Sequence, residues 1–235
     1  MGRAFEYRKA AKMKRWGAMA KNFTRAGREI AIAVKAGGPN PETNNKLRIA
    51  VQNAKGFSMP KDRIEAAIKR ASSREEKDYQ EVSYEGYGPF GVAIFVECAT
   101  DNPTRTVANV RHYFTKMGGS LGTSGSLEFI FERKAVFKLK FENQDTDEME
   151  LDLIDAGLDK LVVEEDEILI YTAFADFGTM QKALEDRNIE VISTNFERLP
   201  TSTKALDDAQ AETVFKLIDL MEEDDDVMNV YHNVD

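Results

Sequence analysis

The chain has 235 residues, 42% hydrophobic and 31% charged, the balance of a globular protein with one large or two to three small domains. No apolar run reaches the eighteen or so residues that a membrane span needs, and a single cysteine, Cys98, excludes an internal disulfide and a multi-cysteine metal site. The net charge of −9 conceals a division: residues 1–77 hold 19 Lys and Arg against 7 Asp and Glu, whereas 78–235 hold 13 against 34. A segment of net +12 can neutralise phosphates and release their counterions, while one of −21 is repelled by them, so nucleic acid is the expected partner of the first part. The bland alternative is that the basic part docks on the acidic one.

In chain order, the charged N-terminus is followed by no apolar stretch of the kind a secretory signal has, so a cytosolic location is expected. Residues 4–16 read as a helix dominated by Arg8, Lys9, Lys12, Lys14 and Arg15. Phe23, Ile30 and Val34 recur at helical spacing until Gly37-Gly38-Pro39 stops the second helix. Asn40 reads as the next N-cap, with Pro41 at the first helical position and Leu47, Ala50, Val51 and Ala54 as the apolar face up to Gly56. A further helix starts near Pro60 and carries Ile64, Ala67, Ile68 and Ala71 inward. Each is short and alanine-rich, so the helices must pack on one another to persist.

From Val92 the period changes. A strand over 92–98, a helix over 104–117 with Val107, Val110 and Phe114 inward, and a strand over 127–131 give β-α-β. Strands at 135–141, 160–164, 168–174 and 190–198, with helices at 147–156 and 176–187, give the ferredoxin-like order βαββαβ. After Leu199-Pro200 come a helix over 207–221 and a strand over 227–234, which cannot form a unit alone. The expected fold is α+β: a basic helical nucleic-acid-binding domain (1–77), then two small α/β sandwich domains. One of these is discontinuous (78–133 plus 200–235) and is interrupted by the ferredoxin-like one (134–199).

Catalytic signatures are weak. Gly86-Tyr87-Gly88-Pro89-Phe90-Gly91 matches G-x-G-x-x-G, but a strand follows where a dinucleotide site needs a helix, and Pro89 removes a backbone donor. The 120–126 loop, Ser-Leu-Gly-Thr-Ser-Gly-Ser, could cradle a phosphate with its amides, yet no Lys-Ser or Lys-Thr follows, and a flexible loop is favoured. A hydrolase using either loop is the alternative of a different class. His112 and His232 have no ligand or partner spacing, and Glu222-Glu223-Asp224-Asp225-Asp226 reads as a solvated turn. No enzyme activity, cofactor, metal, membrane or small-molecule substrate is therefore expected.

The candidate site is the basic set Arg3, Arg8, Lys9, Lys12, Lys14, Arg15, Lys21, Arg25, Arg28, Lys46, Arg48, Lys55, Lys61 and Arg63, continued by Lys69 and Arg70. Such side chains grip phosphates without reading sequence. Selectivity would have to come from shape, or from loops of the acidic part: Tyr84, Glu85, Gly86, Tyr87 and Gly88, and Asp101, Asn102 and Arg105.

Ordered segments along the whole chain resemble the YebC family. They include Arg8-Lys9-Ala10-Ala11, Phe23-Thr24-Arg25, Met59-Pro60-Lys61-Asp62, Tyr84-Glu85-Gly86-Tyr87-Gly88-Pro89, Thr100-Asp101-Asn102 and Asn229-Val230-Tyr231-His232-Asn233. The chain departs from the family's usual His-Ser-Lys-Trp opening at Gly2–Tyr7. The resemblance implies three domains and a role in gene expression, as a probable DNA-binding transcriptional regulator. The alternative it implies is a ribosome-associated translation factor or translational activator, binding ribosomal or transfer RNA and relieving stalls at proline-rich stretches. Mitochondrial relatives are translational activators of cytochrome c oxidase subunit one.

Overall fold

A computed structural model of the protein describes residues 19–73, 78–142 and 144–235. The expected helix over 4–16 lies outside them. The first described helix, α1 (Met19–Gly37), packs Ala26, Ile30, Ala33 and Val34 against α2 (Asn45–Gly56) and α3 (Lys61–Ala71). The small side chains let the helix axes approach closely, and Leu47, Ile64 and Met59 fill the centre.

The cap of α2 is Asn44 rather than the expected Asn40. The Asn44 side chain accepts from Leu47 N (3.1 Å) and donates to the carbonyls of Ala33 (2.7 Å) and Gly38 (2.8 Å), tying two helices together from one buried amide. Asn40 instead closes the preceding turn, accepting from Glu42 N at 3.0 Å. A β-carbon on Gly37 would stand 2.8 Å from Asn44 Cγ, so this crossing requires glycine.

Beyond the helices lie two four-stranded antiparallel sheets. The first contains β1 (Gln80–Tyr87), β2 (Ala93–Thr100), β3 (Ser120–Leu121) and β8 (Val227–His232), in the order β3-β1-β2-β8. Helices α4 (Pro103–Lys116) and α7 (Asp208–Glu222) cover one face through Val110, Phe114, Val214, Leu217 and Met221. Strand β2 is buried on both faces, since Ala93 and Phe95 pack the other way, against Leu127, Ile130 and Phe131. That two-sided burial explains its unbroken apolar run.

The second sheet has the order β5-β6-β4-β7, from β4 (Phe131–Lys140), β5 (Leu158–Glu164), β6 (Glu167–Ala173) and β7 (Val191–Pro200). With α5 (Thr146–Leu153) and α6 (Phe177–Asp186) on one face, this is the ferredoxin-like arrangement expected from the periodicity.

One expected strand is absent, and one strand was not expected. The segment 127–131 is a chain of turns up to Phe131, because Leu127 N is bonded to the Glu85 carboxylate and Ile130 N to Leu127 O. Strand β1 had no strong periodic signal: only Val82 and Tyr84 alternate inward, and β3 covers just its last two residues. On α4, Thr106 is buried where Val107 was expected, and Val107 is half-buried.

The three parts are in contact. Asn53 of α2 donates to Thr194 O and accepts from Thr194 N, both at 2.8 Å, completing the edge strand β7 as another strand would. Gln52 adds a bond to Val191 O. Arg198 of β7 pairs with Glu97 of β2 at 3.0 Å and stacks 3.9 Å above the Phe95 ring.

Candidate nucleic-acid interface

Helix α7 begins with a capping box between Asp207 and Gln210, but its last turn holds no basic residue and runs into Glu222–Asp226. A helix C-terminus carries partial negative charge, so five carboxylates there are unfavourable unless cations come from elsewhere. They come from α1. Lys21 and Arg25 each donate to Glu222 O at 3.4 Å, and Arg28 donates to Ala99 O at 2.9 Å and to Asp225 O. Arg28 also pairs with Asp226 Oδ1 at 3.2 Å, and its guanidinium lies 5.2 Å from the Tyr79 ring centroid.

Asp226 is the centre of this junction. Its side chain is 5% exposed, and its carboxylate accepts from Thr100 Oγ1 (3.0 Å), Thr106 Oγ1 (2.9 Å) and Arg105 Nη2 (2.6 Å) besides Arg28. Burial by itself would raise its pKa, but the hydrogen bonds from Arg105, Thr106 and Thr100 hold it below the ordinary 3.8. Asp224 accepts from Asn109 Nδ2 (3.1 Å) and from Tyr113 OH (2.9 Å). Burial and that bond push the Tyr113 phenol up to about 12. The acidic run is thus a fastened turn with only Glu223 and Asp225 fully exposed, not the solvated turn expected. A cleft of about 440 Å³ opens beside it, walled by Arg28, Tyr79, Arg105, Asn109 and Tyr113. Cys98 is 2% exposed, and burial pushes its thiol up to about 12, as fits a core position.

The predicted basic residues therefore divide. Arg3, Arg8, Lys9, Lys12, Lys14 and Arg15 lie outside the described residues. Lys21, Arg25 and Arg28 face the acidic run. Lys46 pairs with Glu81 at 2.9 Å, and Arg48 bonds Asn45 at 2.8 Å and approaches Glu185 at 3.7 Å, both cations staying half in solvent. Lys55, Lys61, Arg63, Lys69 and Arg70 are exposed at the end of α2 and along α3; Lys61 lies 3.7 Å from Glu65, and Arg63 sits 5.8 Å from the Phe23 ring centroid.

The predicted loop residues divide as well. Asp101 and Asn102 are committed to holding Arg105 and capping α4, at 3.0 and 3.1 Å, and Tyr84 OH donates to Pro103 O at 3.3 Å. The Glu85 carboxylate, 2% exposed, accepts from Gly125 N (2.8 Å) and Leu127 N (2.6 Å). Within the 120–126 loop, the Gly125 amide holds this carboxylate, and those of Gly122 and Ser126 bond the carbonyls of Glu85 and Thr123. Gly86 and Gly88 are packed too closely for a side chain, with a β-carbon on Gly86 only 2.5 Å from Ser120 O, while Tyr87 between them is exposed. Among the described residues no group of His, Cys, Asp and Glu could hold a metal ion, and no helix is long and apolar enough to cross a membrane.

Sequence reasoning missed Asp226, Thr100, Thr106 and Asn53. For Asp226 a signal was present: an acidic run at the wrong end of a helix, in a chain whose cations lie elsewhere.

Glu29 on α1 carries a prediction. Its half-buried carboxyl is pushed up to about 7 by burial first and then by Glu81, against the pull of Arg25 and Lys46. The folded protein thus binds this proton more tightly than the unfolded chain between 4.5 and 7, so stability falls as pH rises through that window. Glu29→Gln is expected to stabilise by roughly 1–3 kcal/mol above pH 7 and to do little below pH 5, measured by urea melts at both values.

Two family models cover the chain: "TACO1/YebC protein N-terminal domain" matches residues 3–74 and "TACO1/YebC second and third domain" matches 79–234. A relative from Cytophaga hutchinsonii is 59% identical over all of this chain and 98% of its own length, and one from Porphyromonas gingivalis is 57% identical over all of this chain and 97% of its own. Each bears the name "probable transcriptional regulatory protein". The crystal structure of a conserved hypothetical protein from Aquifex aeolicus superposes with a TM-score of 0.80 at 37% identity, over 93% of this chain and 90% of that one. Matched from its helical segment through both sheets, the chain belongs to the TACO1/YebC family.

Proposed function

We propose that the chain is a non-enzymatic regulator of gene expression, acting in the cytoplasm and holding nucleic acid by its phosphates on the outer face of α2 and α3. In this reading the helical segment 1–77 binds, and the units 78–133 with 200–235 and 134–199 position it. One observation supports the proposal: Lys55, Lys61, Arg63, Lys69 and Arg70 are each exposed on α2 and α3 while the acidic run faces α1. The relatives' names favour transcriptional control, a role for which DNA is the expected ligand.

A second reading, binding to RNA on the ribosome, is favoured by the acidic run beside α1. A long straight duplex laid on the helical domain would approach those carboxylates, whereas a recess in a ribonucleoprotein need touch only the cationic face.

The test combines a gel shift with polysome co-sedimentation, using wild type and the quadruple variant Lys55→Glu, Lys61→Glu, Arg63→Glu, Lys69→Glu. Nucleic-acid affinity is expected to fall by about a hundredfold or more, with a shallower salt dependence. Retention of both affinity and salt slope sinks the α2–α3 surface. Selection of one promoter over bulk DNA by a hundredfold or so supports the transcriptional role; co-sedimentation with only non-specific DNA binding supports the ribosomal one.

A further inference from the structure

The turn between β1 and β2 breaks a local rule. Phe90 has φ 60° and ψ 15°, a left-handed conformation that a bulky side chain adopts only under strain, and Gly91 follows at φ 71°. Strain of this kind is tolerated where surrounding contacts repay it. Here the ring is only partly buried in return: Phe90 is 46% exposed, and Tyr87 three residues earlier is 42% exposed.

The backbone beneath them is nevertheless built with care. A β-carbon on Gly119 would stand 2.5 Å from Tyr87 O, one on Gly88 would stand 2.8 Å from Ile94 Cδ1, and Gly88 N is bonded to Val92 O at 2.8 Å. Pro89 is buried and stiffens the turn, and Lys204 Nζ lies 3.5 Å from Gly91 O, placing a cation at the rim. Two partly exposed aromatic residues therefore lie on a closely packed turn, with Lys204 beside its Gly91 end.

We infer that the Tyr87–Phe90 tip is a second nucleic-acid contact, stacking unpaired bases on Tyr87 and Phe90 with Lys204 beside the backbone phosphate. Aromatic faces with a neighbouring cation are the means by which proteins hold single strands without reading sequence. The ligand is the one the α2–α3 surface is proposed to hold, so the inference rests on that reading and extends it. The β1–β2 ladder runs from Gln80↔Thr100 to Tyr87↔Ala93, and Arg28 of α1 is bonded to Ala99 at its far end. Six residue steps from Ala99 to Ala93 put the tip roughly 20 Å from that docking point. One nucleic acid held both on the α2–α3 face and at the tip would then combine a phosphate-rich segment with an unpaired one.

The experiment compares a blunt duplex with the same duplex carrying a single-stranded tail of about ten nucleotides, long enough to reach the tip. Wild type is expected to prefer the tailed form by about tenfold, and the preference should vanish in Tyr87→Ala/Phe90→Ala. A preference of equal size in the double variant overturns the inference, as does no preference in wild type. Phe90→Gly supplies an independent readout: it should raise Tm by roughly 2–4 °C by relieving strain while losing the tail preference. A lower Tm would mean that Phe90 serves the fold, and the inference falls. If no duplex binds at all, the α2–α3 reading has failed, and the tip is judged alone by a 2-aminopurine single strand. Its fluorescence should be quenched by wild type and not by the double variant; equal signals overturn the tip.

Discussion

Replacing Asp226 by alanine is expected to lower the unfolding free energy by about 3–5 kcal/mol, the cost of stripping one partner from a buried ion pair. The loss is large because four donors converge on this carboxylate: two guanidinium groups and the hydroxyls of Thr100 and Thr106. Without it, Arg28 is left 13% exposed beside the C-terminus of α7 with only carbonyls to face. The helical part should loosen with it, since Arg28 is the α1 residue bound both to β2 and to the acidic run. A double-mutant cycle with Arg28→Met separates the pair from the rest, and a coupling of at least about 1 kcal/mol is expected for groups in direct contact. The pH dependence gives a second check. A carboxyl held below its ordinary pKa contributes stability that is fully present above 3.8 and is lost as pH falls through the folded value. The gap between wild type and Asp226→Asn should therefore be constant from neutrality down to pH 4 and shrink below it. A gap that is constant to still lower pH would mean that the ionised form is not what the donors stabilise.

Periodicity read the described helices of the first segment and the ferredoxin-like unit closely, because in both the apolar positions answer to one local partner. The α3 face Ile64, Ala67, Ile68 and Ala71 and the strand 168–174 are cases. It failed where backbone order comes from distant polar groups. Strand β1 is held by β2 along its whole length but offers few apolar side chains, and 127–131 looked like a strand only because Leu127, Ile130 and Phe131 are apolar. The site was legible as charge and illegible as direction. Composition placed cations in the first 77 residues, but nothing local to Lys21, Arg25 or Arg28 says that they turn towards residues some two hundred positions later. The alternative that the basic part docks on the acidic one describes α1; among the described residues the exposed cations of α2 and α3 do not face the acidic run. The Tyr87–Phe90 tip was visible as a glycine motif, and only the structure shows why: Gly86 and Gly88 pack against Ser120, Phe114 and Ile94, and Gly91 takes a positive φ.

Glu85→Ala is expected to cost about 2–4 kcal/mol, from the loss of two charge-assisted hydrogen bonds and the stranding of two amides. The reason lies in what the carboxylate replaces. The loop from Gly119 to Leu127 has little regular structure: two residues pair with β1, and Gly122 N reaches Glu85 O at 2.7 Å. Beyond that point Gly125 N and Leu127 N depend on the Glu85 side chain. Leu127 is fully buried among Ala93, Phe95, Ile130 and Phe131, the cluster that joins the back of the first sheet to the start of β4. An amide left unbonded there has no route to water without moving the leucine, so the damage should spread from the loop into the contact between the sheets. Glu85→Gln offers one acceptor and turns a donor towards the second amide, and its cost should fall between those of wild type and alanine. Hydrogen exchange locates the effect: the amides of Gly125 and Leu127 should lose protection in both variants, while those of β5 and β6 stay as they were. If Glu85→Ala costs less than about 0.5 kcal/mol, the level of an ordinary surface change, the carboxylate does not hold this loop.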